Sequence, residues 1–255
     1  MVADQPNRLW WPSDEGRGGV LVAWSGVANG DMSLGSSSSD GVANRERFLR
    51  IHGLGPAETV VMGVSHADGI ARVSDADRGR GVFAYRDAIE ADALVTDTPG
   101  LALLLTPADC VPLVLWDQQA CVLALIHCGW RSTDLAIAQR VVTCIEATWG
   151  KEPTELHAFL GPGIKACSYR RMAPSQLHSS RWRPYVLAHA DGSVAIDLYA
   201  HNRDQLLRAG VRCDAIEESN VDTGGDVAYF SHSRALRSGE PDGRNAVMAM
   251  LVRRR

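Results

Sequence analysis

Apolar positions recur along this chain in short, nearly unbroken runs of five or six residues, separated by residues that favour turns. Gly19 to Trp24, Thr59 to Val64, Ala91 to Thr96, Leu101 to Leu105, Val111 to Trp116, Cys121 to Ile126, Leu156 to Leu160 and Val247 to Val252 all read this way. Runs of this length, rich in β-branched and aromatic residues, predict strands. Tyr229-Phe230 predicts a further late strand. Thr98-Pro99-Gly100 predicts a hairpin joining its two flanking runs, and Asp117-Gln118-Gln119-Ala120 predicts a second one. If those four residues form the second loop, Trp116 pairs with Cys121. Six steps further out, Cys110 then lies opposite His127, while Asp109 and Cys128 face the other way. Pro112 inside this pair points to an edge or a bulge.

Three segments carry the helical period instead. Asp40 can cap a helix bearing Val42, Phe48 and Leu49 that stops at Gly53 before Pro56. Ser132 or Thr133 can cap one in which Leu135, Ala138, Val141, Val142 and Ile145 share a face up to Gly150, and Asp197 can cap a third that runs to Gly210. A Gly/Ser-rich loop runs through Ser36-Ser37-Ser38-Ser39, and a linker is expected around Arg181 to Gly192. Many hairpin strands with a few helices predict an α+β fold in one domain, residues 1–255, with mixed and largely antiparallel sheets flanked by helices. The regular strand–helix alternation of a parallel sheet is absent.

Composition narrows the functional classes. With 255 residues, 45% hydrophobic content and 22% charge, the chain can bury a substantial core. A net charge of −4 argues against broad nucleic-acid binding, and Arg253-Arg254-Arg255 reads as a short solvated tail. No apolar run reaches the length of a membrane span. The first residues, with Asp4 and Arg8 before Trp10-Trp11-Pro12, lack a signal-peptide pattern, so a cytoplasmic location is expected. The six cysteines show no regular spacing, which argues against a disulfide scaffold, and Cys121 and Cys144 read as small hydrophobes.

Chemistry concentrates at three positions: His66 at the end of one strand, Cys110 before another and His127 near the end of its partner. Two histidines, one cysteine and a water form a recognised catalytic zinc arrangement. The plainer alternative is that all three are buried structural residues, the commoner fate of these types. Without a metal, Cys110 as nucleophile and His127 as base would suit a hydrolase. Asp109 and Arg131 flank the apolar runs, and Arg131 precedes the expected helix start at Ser132, where orphan N–H groups and a guanidinium favour an anion.

Ala91-Asp92-Ala93-Leu94-Val95-Thr96, Ala108-Asp109-Cys110-Val111-Pro112, His127-Cys128-Gly129-Trp130-Arg131 and Gly161-Pro162-Gly163-Ile164 together resemble the YfiH-like family. That family was first described as laccase-domain or multicopper polyphenol oxidases and later assigned purine nucleoside phosphorylase and adenosine deaminase activities. Ser33-Leu34-Gly35, Asn44-Arg45, Phe230-Ser231 and Gly243-Arg244 extend the likeness towards both ends. The resemblance implies an α+β fold and a metal, usually zinc, held by His66, Cys110 and His127. It also implies a purine nucleoside substrate that is split by phosphate or deaminated. Asp109 would transfer a proton or bind a sugar hydroxyl; Arg131, Ser132, Arg45 and Arg244 are the candidates for binding substrate or phosphate. The chain departs from the family pattern at Val64-Ser65 before His66, at Cys128 and Ser132, and at Asp222 before Thr223. A copper-dependent phenol oxidase ranks lower, because His52, His157, His178, His189, His201 and His232 are dispersed and offer no second ligand set. A degenerate nucleotide-binding protein without turnover is the non-enzyme alternative.

Overall fold

Runs that are apolar on both sides of their pleat need cover on both faces, and this requirement sets the architecture. The computed structural model describes residues 7–13, 16, 18–33 and 40–253. Asp4, the Leu34-Gly35 pair, the loop through Ser36–Ser39 and Arg254-Arg255 lie outside the described residues. The N-terminal half contains β1 (Asn7–Pro12), β2 (Gly18–Trp24), α1 (Asp40–Ile51), β3 (Thr59–Gly63), β4 (Ile70–Arg72), β5 (Ile89–Glu90), β6 (Ala93–Thr96) and β7 (Ala102–Leu105). The central part follows with β8 (Val111–Asp117), β9 (Leu123–Cys128), α2 (Trp130–Asp134), α3 (Ile137–Trp149) and β10 (Leu156–Leu160). The remainder is β11 (Arg170–Met172), β12 (Val186–Ala188), β13 (Ser193–Ile196), α4 (Leu198–Arg208), β14 (Ile216–Glu218), α5 (His232–Ser238) and β15 (Val247–Arg253).

Two six-stranded sheets, in the orders β1-β2-β15-β7-β3-β5 and β14-β10-β8-β9-β6-β4, pack face to face. Successive side chains point to opposite faces. Val114, Trp116, Leu123 and Leu125 therefore enter the core between the sheets, together with Leu103, Leu105, Val247 and Ala249 of the first sheet. Leu113, Leu115, Ala124 and Ile126 project the other way and are covered by Ile137, Val141, Val142 and Ile145 of α3 and by Leu198 and Leu206 of α4. On the far side of the first sheet, Phe48 and Leu49 of α1 cover Ala102, Leu104, Met248 and Met250. Each large side chain buried in this way contributes roughly 1.5–3 kcal/mol. The result is a mixed, mostly antiparallel α+β arrangement, as the apolar pattern predicts. Among the described residues no helix is long and apolar enough to cross a membrane.

Several expectations are corrected. The runs around Thr98-Pro99-Gly100 are strands, β6 and β7, but they do not form a hairpin. They lie in different sheets, and the turn carries the chain over the edge of the sandwich, tied down by Gly100 N–H donating to the Leu251 carbonyl at 2.8 Å. The β8–β9 hairpin exists with its register shifted by two residues: Pro112, not Cys110, lies opposite His127, and Val111, not Asp109, opposite Cys128. The cause is Asp117. It belongs to the strand, and its Oδ1 accepts the N–H groups of Cys121 and Val122 at 2.7 Å each, which lengthens the loop. Pro112 tolerates this central position because β8 uses its carbonyl there, accepting Gly161 N–H at 2.7 Å.

The helix expected from Ser132 or Thr133 starts earlier, at Trp130, and breaks at Ala136 (φ 59°), so that α2 and α3 are separate and Leu135 is exposed. Tyr229-Phe230 is not a strand; it leads into α5, whose N-cap Ser231 accepts from Arg234 N–H at 3.1 Å. The segment from Arg181 to Gly192 is not a linker. It supplies β12 to a small sheet of order β11-β13-β12 and buries Trp182 and Tyr185 against the core.

Candidate active site

A cavity of about 610 Å³ opens where strand ends of the two large sheets meet. Met62, Val64 and His66 reach it from β3, and Thr106, Pro107 and Ala108 from the end of β7. Cys110 comes from the start of β8 and His127 from β9, with Ser33, Tyr85, His232 and Arg244 completing the lining. The three residues singled out as possible ligands thus share one cavity. The two-residue register shift leaves Cys110 and His127 on the same side because side chains alternate with period two.

Asp92 organises this wall. It is fully buried just before β6, and its carboxylate accepts from His127 Nδ1 at 2.8 Å, Ser65 Oγ at 2.6 Å, Ala67 N at 2.8 Å and His66 N at 3.1 Å. His66 itself holds a left-handed φ of 58°, an uncommon conformation for a residue other than glycine, and the Asp92 bonds on either side of it keep it there. The His66 and His127 rings stand edge to face with centroids 5.0 Å apart. Burial opposes the charged form of His127, but the Cys110 sulfur and Asp92 outweigh it and raise its pKa to about 9. His66 moves the opposite way, through desolvation first and then the nearby His127. Although buried, the Asp92 carboxyl lies below its ordinary range, because its hydrogen bonds outweigh desolvation.

Gly129 lets these groups approach. A Cβ at this position would sit 3.0 Å from His127 Cε1, 3.1 Å from Cys110 Sγ and 3.3 Å from His127 Nε2. Asp109, at a left-handed φ of 77°, faces away from the cavity: its carboxylate accepts from Thr223 Oγ1 at 2.8 Å and Ser233 N at 2.6 Å. Its carbonyl accepts from Ile164 N at 2.8 Å. In this structure Asp109 anchors the Cys110 loop. Asp222, one of the departures from the family pattern, accepts from Lys165 N and Ser168 Oγ and so supports the adjoining loop.

The basic candidates separate clearly. Arg45 is buried, and its guanidinium is used up on the carbonyls of Val82, Met32 and Ser33, so it builds the Ser33 wall and does not line the cavity. Ser132 is also buried, accepting from Gly129 N and donating to the His127 carbonyl. Arg131 is exposed, lies over the Trp130 ring and does not line the cavity. Arg244 does line it. Its Nη1 bonds Asp242, while its backbone N–H and the Ser33 N–H both donate to Asp31 Oδ1. His232, held by Asp242 at 3.0 Å, stands on the same wall.

Among the described residues no group of three or more His, Cys, Asp or Glu side chains is arranged so that it could hold a metal ion. His66, Cys110 and His127 are nevertheless the donor types that a His2Cys zinc site uses. The His127–Asp92 pair is the carboxylate–histidine arrangement that fixes a ligand's tautomer and orientation.

Residues 15–252 match the family described as multi-copper polyphenol oxidoreductase laccase. The chain belongs to that family. Its laccase-family relatives include purine nucleoside phosphorylase YlmD of Geobacillus stearothermophilus, 31% identical over 217 residues that cover 81% of this chain and 78% of the relative. Another is adenosine deaminase RL5 from an unknown prokaryotic organism, 32% identical over 178 residues covering 68% of each chain. The crystal structure of YlmD from Geobacillus stearothermophilus superposes with a TM-score of 0.82 at 26% identity, covering 100% of this chain and 98% of that one.

Sequence reasoning missed two components of this laccase-family site. Asp92 gives no spacing signal of its own; the available clue is that a carboxylate opening a largely apolar strand needs buried partners. His232 sits far along the chain, and no spacing rule connects it to His66.

Proposed function

We propose that this chain processes purine nucleosides in the cavity shared by the two large sheets, by phosphorolysis. The convergence of His66, Cys110 and His127 on one cavity that Arg244 and His232 also line carries this reading. A cavity of about 610 Å³ suits a nucleoside and a small anion. The names of the relatives supply the substrate class. In the reaction a phosphate oxygen bonds to C1′ of the ribose as the bond from C1′ to the base nitrogen breaks, and the base departs with the bonding pair and takes up a proton.

The residues divide the work. Arg244 meets the phosphate; its guanidinium stays at the cavity wall through its bonds to Asp242. Met62 and Val64 give the base an apolar surface. Asp92 fixes the orientation of His127 and the backbone that carries His66. His66, Cys110 and His127 would hold zinc, which when bound supplies Lewis acidity that lowers the pKa of water to about 7. Adenosine deamination is the second reading, supported by the relative named adenosine deaminase and by the same donor set.

The test is an assay of purified protein with adenosine, inosine and 5′-methylthioadenosine, each with and without phosphate, alongside measured zinc and copper per chain. Phosphate-dependent release of free base with about one zinc per chain supports the proposal. Phosphate-independent formation of inosine would move it to deamination. Turnover in a zinc- and copper-free protein would favour Cys110 and His127 as a nucleophile–base pair, and oxidation of a phenol with bound copper would favour the oxidase reading. Cys110→Ala is expected to remove both metal retention and turnover; full turnover in that variant would sink the assignment.

A further inference from the structure

Phosphorolysis needs a proton for the departing base. While N9 is still bonded to C1′, N7 is the position of the five-membered ring open to receive it, and a purine that leaves without it departs as an anion. Of the titratable side chains that line the cavity, His66, Cys110 and His127 fall to the metal in the reading above, and Arg244 falls to the phosphate. A guanidinium does not give up its proton in proteins. Among the described residues, Tyr85 and His232 remain. Tyr85 is 53% exposed, whereas His232 is held both by its backbone and by its ring.

The backbone is fixed through the two neighbours of His232. Ser231 caps α5 by accepting from Arg234 N–H at 3.1 Å, and Ser233 donates its N–H to Asp109 Oδ2 at 2.6 Å. The carboxylate of Asp109, just before Cys110, thus ties the first turn of α5 to the Cys110 loop. The ring is set by Asp242, whose Oδ2 lies 3.0 Å from His232 Nδ1 while its Oδ1 accepts from Arg244 Nη1 at 2.6 Å. Desolvation works against the charge on Asp242, but its bonds to Arg244 and His232 outweigh it and hold the carboxyl below its ordinary range. An ionised carboxylate only accepts, so Nδ1 carries the proton of that bond and Nε2 is the nitrogen left for the cavity. Histidine is the side chain whose ordinary charge change falls between pH 5 and 8, which lets it give and regain a proton within one turnover.

We propose that His232 is the general acid of this site and delivers a proton from Nε2 to N7 of the purine. The inference rests on the phosphorolysis reading and names the proton donor that reaction requires. As the phosphate oxygen bonds to C1′, the C1′–N9 pair passes to the base, the imidazolium proton on Nε2 moves to N7, and a neutral base departs. The proton that hydrogen phosphate gives up on becoming an ester restores the imidazolium through water, which reaches the half-exposed ring. Asp242 thereby serves both reactants, holding Arg244 for the phosphate and His232 for the base.

The test compares inosine with 7-methylinosine, each with phosphate, in the wild-type protein and in His232→Gln. The N7 methyl group makes the base a cation, which leaves neutral with no proton supplied. General acid catalysis contributes about 10²–10⁴-fold, so His232→Gln should lower kcat for inosine at least about 100-fold and raise the ratio of kcat for 7-methylinosine to kcat for inosine at least about tenfold. The KM for phosphate should move less than about twofold, since the lost contact belongs to the transition state. Equal losses on both nucleosides would make His232 structural, and a raised phosphate KM with kcat intact would make it an anion contact; either overturns the proposal. If the wild-type protein cleaves neither nucleoside, the phosphorolysis reading falls and this one with it. If it cleaves both and the ratio is unchanged in His232→Gln, the general acid alone is refuted. Should the cavity exclude the methyl group, 6-chloropurine riboside, whose base leaves more readily as an anion, replaces 7-methylinosine and the ratio is expected to move the same way. Should His232→Gln fail to fold, His232→Asn enters the same comparison with the same outcomes.

Discussion

Replacing Asp92 with asparagine exchanges one oxygen for an NH2 group inside a site where four donors converge. If the NH2 takes the place of Oδ2, it faces Ser65 and the Ala67 N–H; if it replaces Oδ1, it faces His127 and the His66 N–H. Ser65 can rotate its hydroxyl to accept, but a backbone N–H cannot change role, so either orientation leaves at least one buried donor facing another. A hydrogen bond to a charged group contributes about 1.5–3 kcal/mol. Losing one such bond and weakening the rest gives an expected stability loss of about 2–4 kcal/mol. At the site, disturbing the partner of a ligating histidine typically costs about 10–100-fold in metal affinity or activity. Urea unfolding of both proteins gives the first quantity; competition with a chromophoric zinc chelator and kcat/KM for inosine with phosphate give the second. If Asp92→Asn stays within about 0.5 kcal/mol in stability and about twofold in both other readouts, the clamp has no energetic content and the reasoning fails.

His201 provides a pH test remote from the cavity. It is buried between Trp182 and Tyr185, and desolvation, then Arg208, lowers its pKa to about 4. The unfolded chain takes up this proton near pH 6.5 and the folded chain does not. Stability is therefore complete above that pH and falls by about 2–3 kcal/mol as pH drops from 6.5 to 4; His201→Phe should flatten this part of the curve in urea titrations, and an unchanged slope would count against it. Gly129→Ala is expected to lower kcat at least about tenfold with a stability loss of only about 1–3 kcal/mol, because the new methyl presses on Cys110 Sγ and the His127 ring; equal kcat would show that the two need not approach there. Arg244→Ala should raise the KM for phosphate at least about tenfold, with Arg131→Ala changing it less than about twofold; the reverse order would move the anion contact to α2.

Much of this arrangement was legible in the sequence. The runs from Val60 and Val247 were almost wholly apolar because both faces of the first sheet are covered, and Asp197 capped its helix by accepting from Ala200 N–H. The same continuity hid which sheet each strand joins: nothing in Ala93–Thr96 or Ala102–Leu105 marks one face as solvent, so an arch between sheets reads like a hairpin. The shift at β8–β9 depended on one side chain, Asp117, folding back onto its own loop. For the site, spacing brought Cys110 and His127 together, but the fates of Arg45 and Arg244 could not be distinguished. Two arginines in similar motifs end up on opposite sides of one wall, one consumed by carbonyls and the other facing the cavity.

Asp92 has one more consequence. It stands at the threshold of the second sheet, yet three of its four bonds reach the Ser65–Ala67 segment that leaves the first. It therefore acts as a rivet between two slabs whose shared core is apolar and directionless, with the Trp11–Glu217 bond at 2.9 Å as a second tie between their outer strands. A slip of one slab over the other by a single residue, about 3.3 Å, would leave every ladder intact and still pull His66 out of line with its two companions. Catalytic output should therefore fade on mild warming while far-ultraviolet dichroism still looks native.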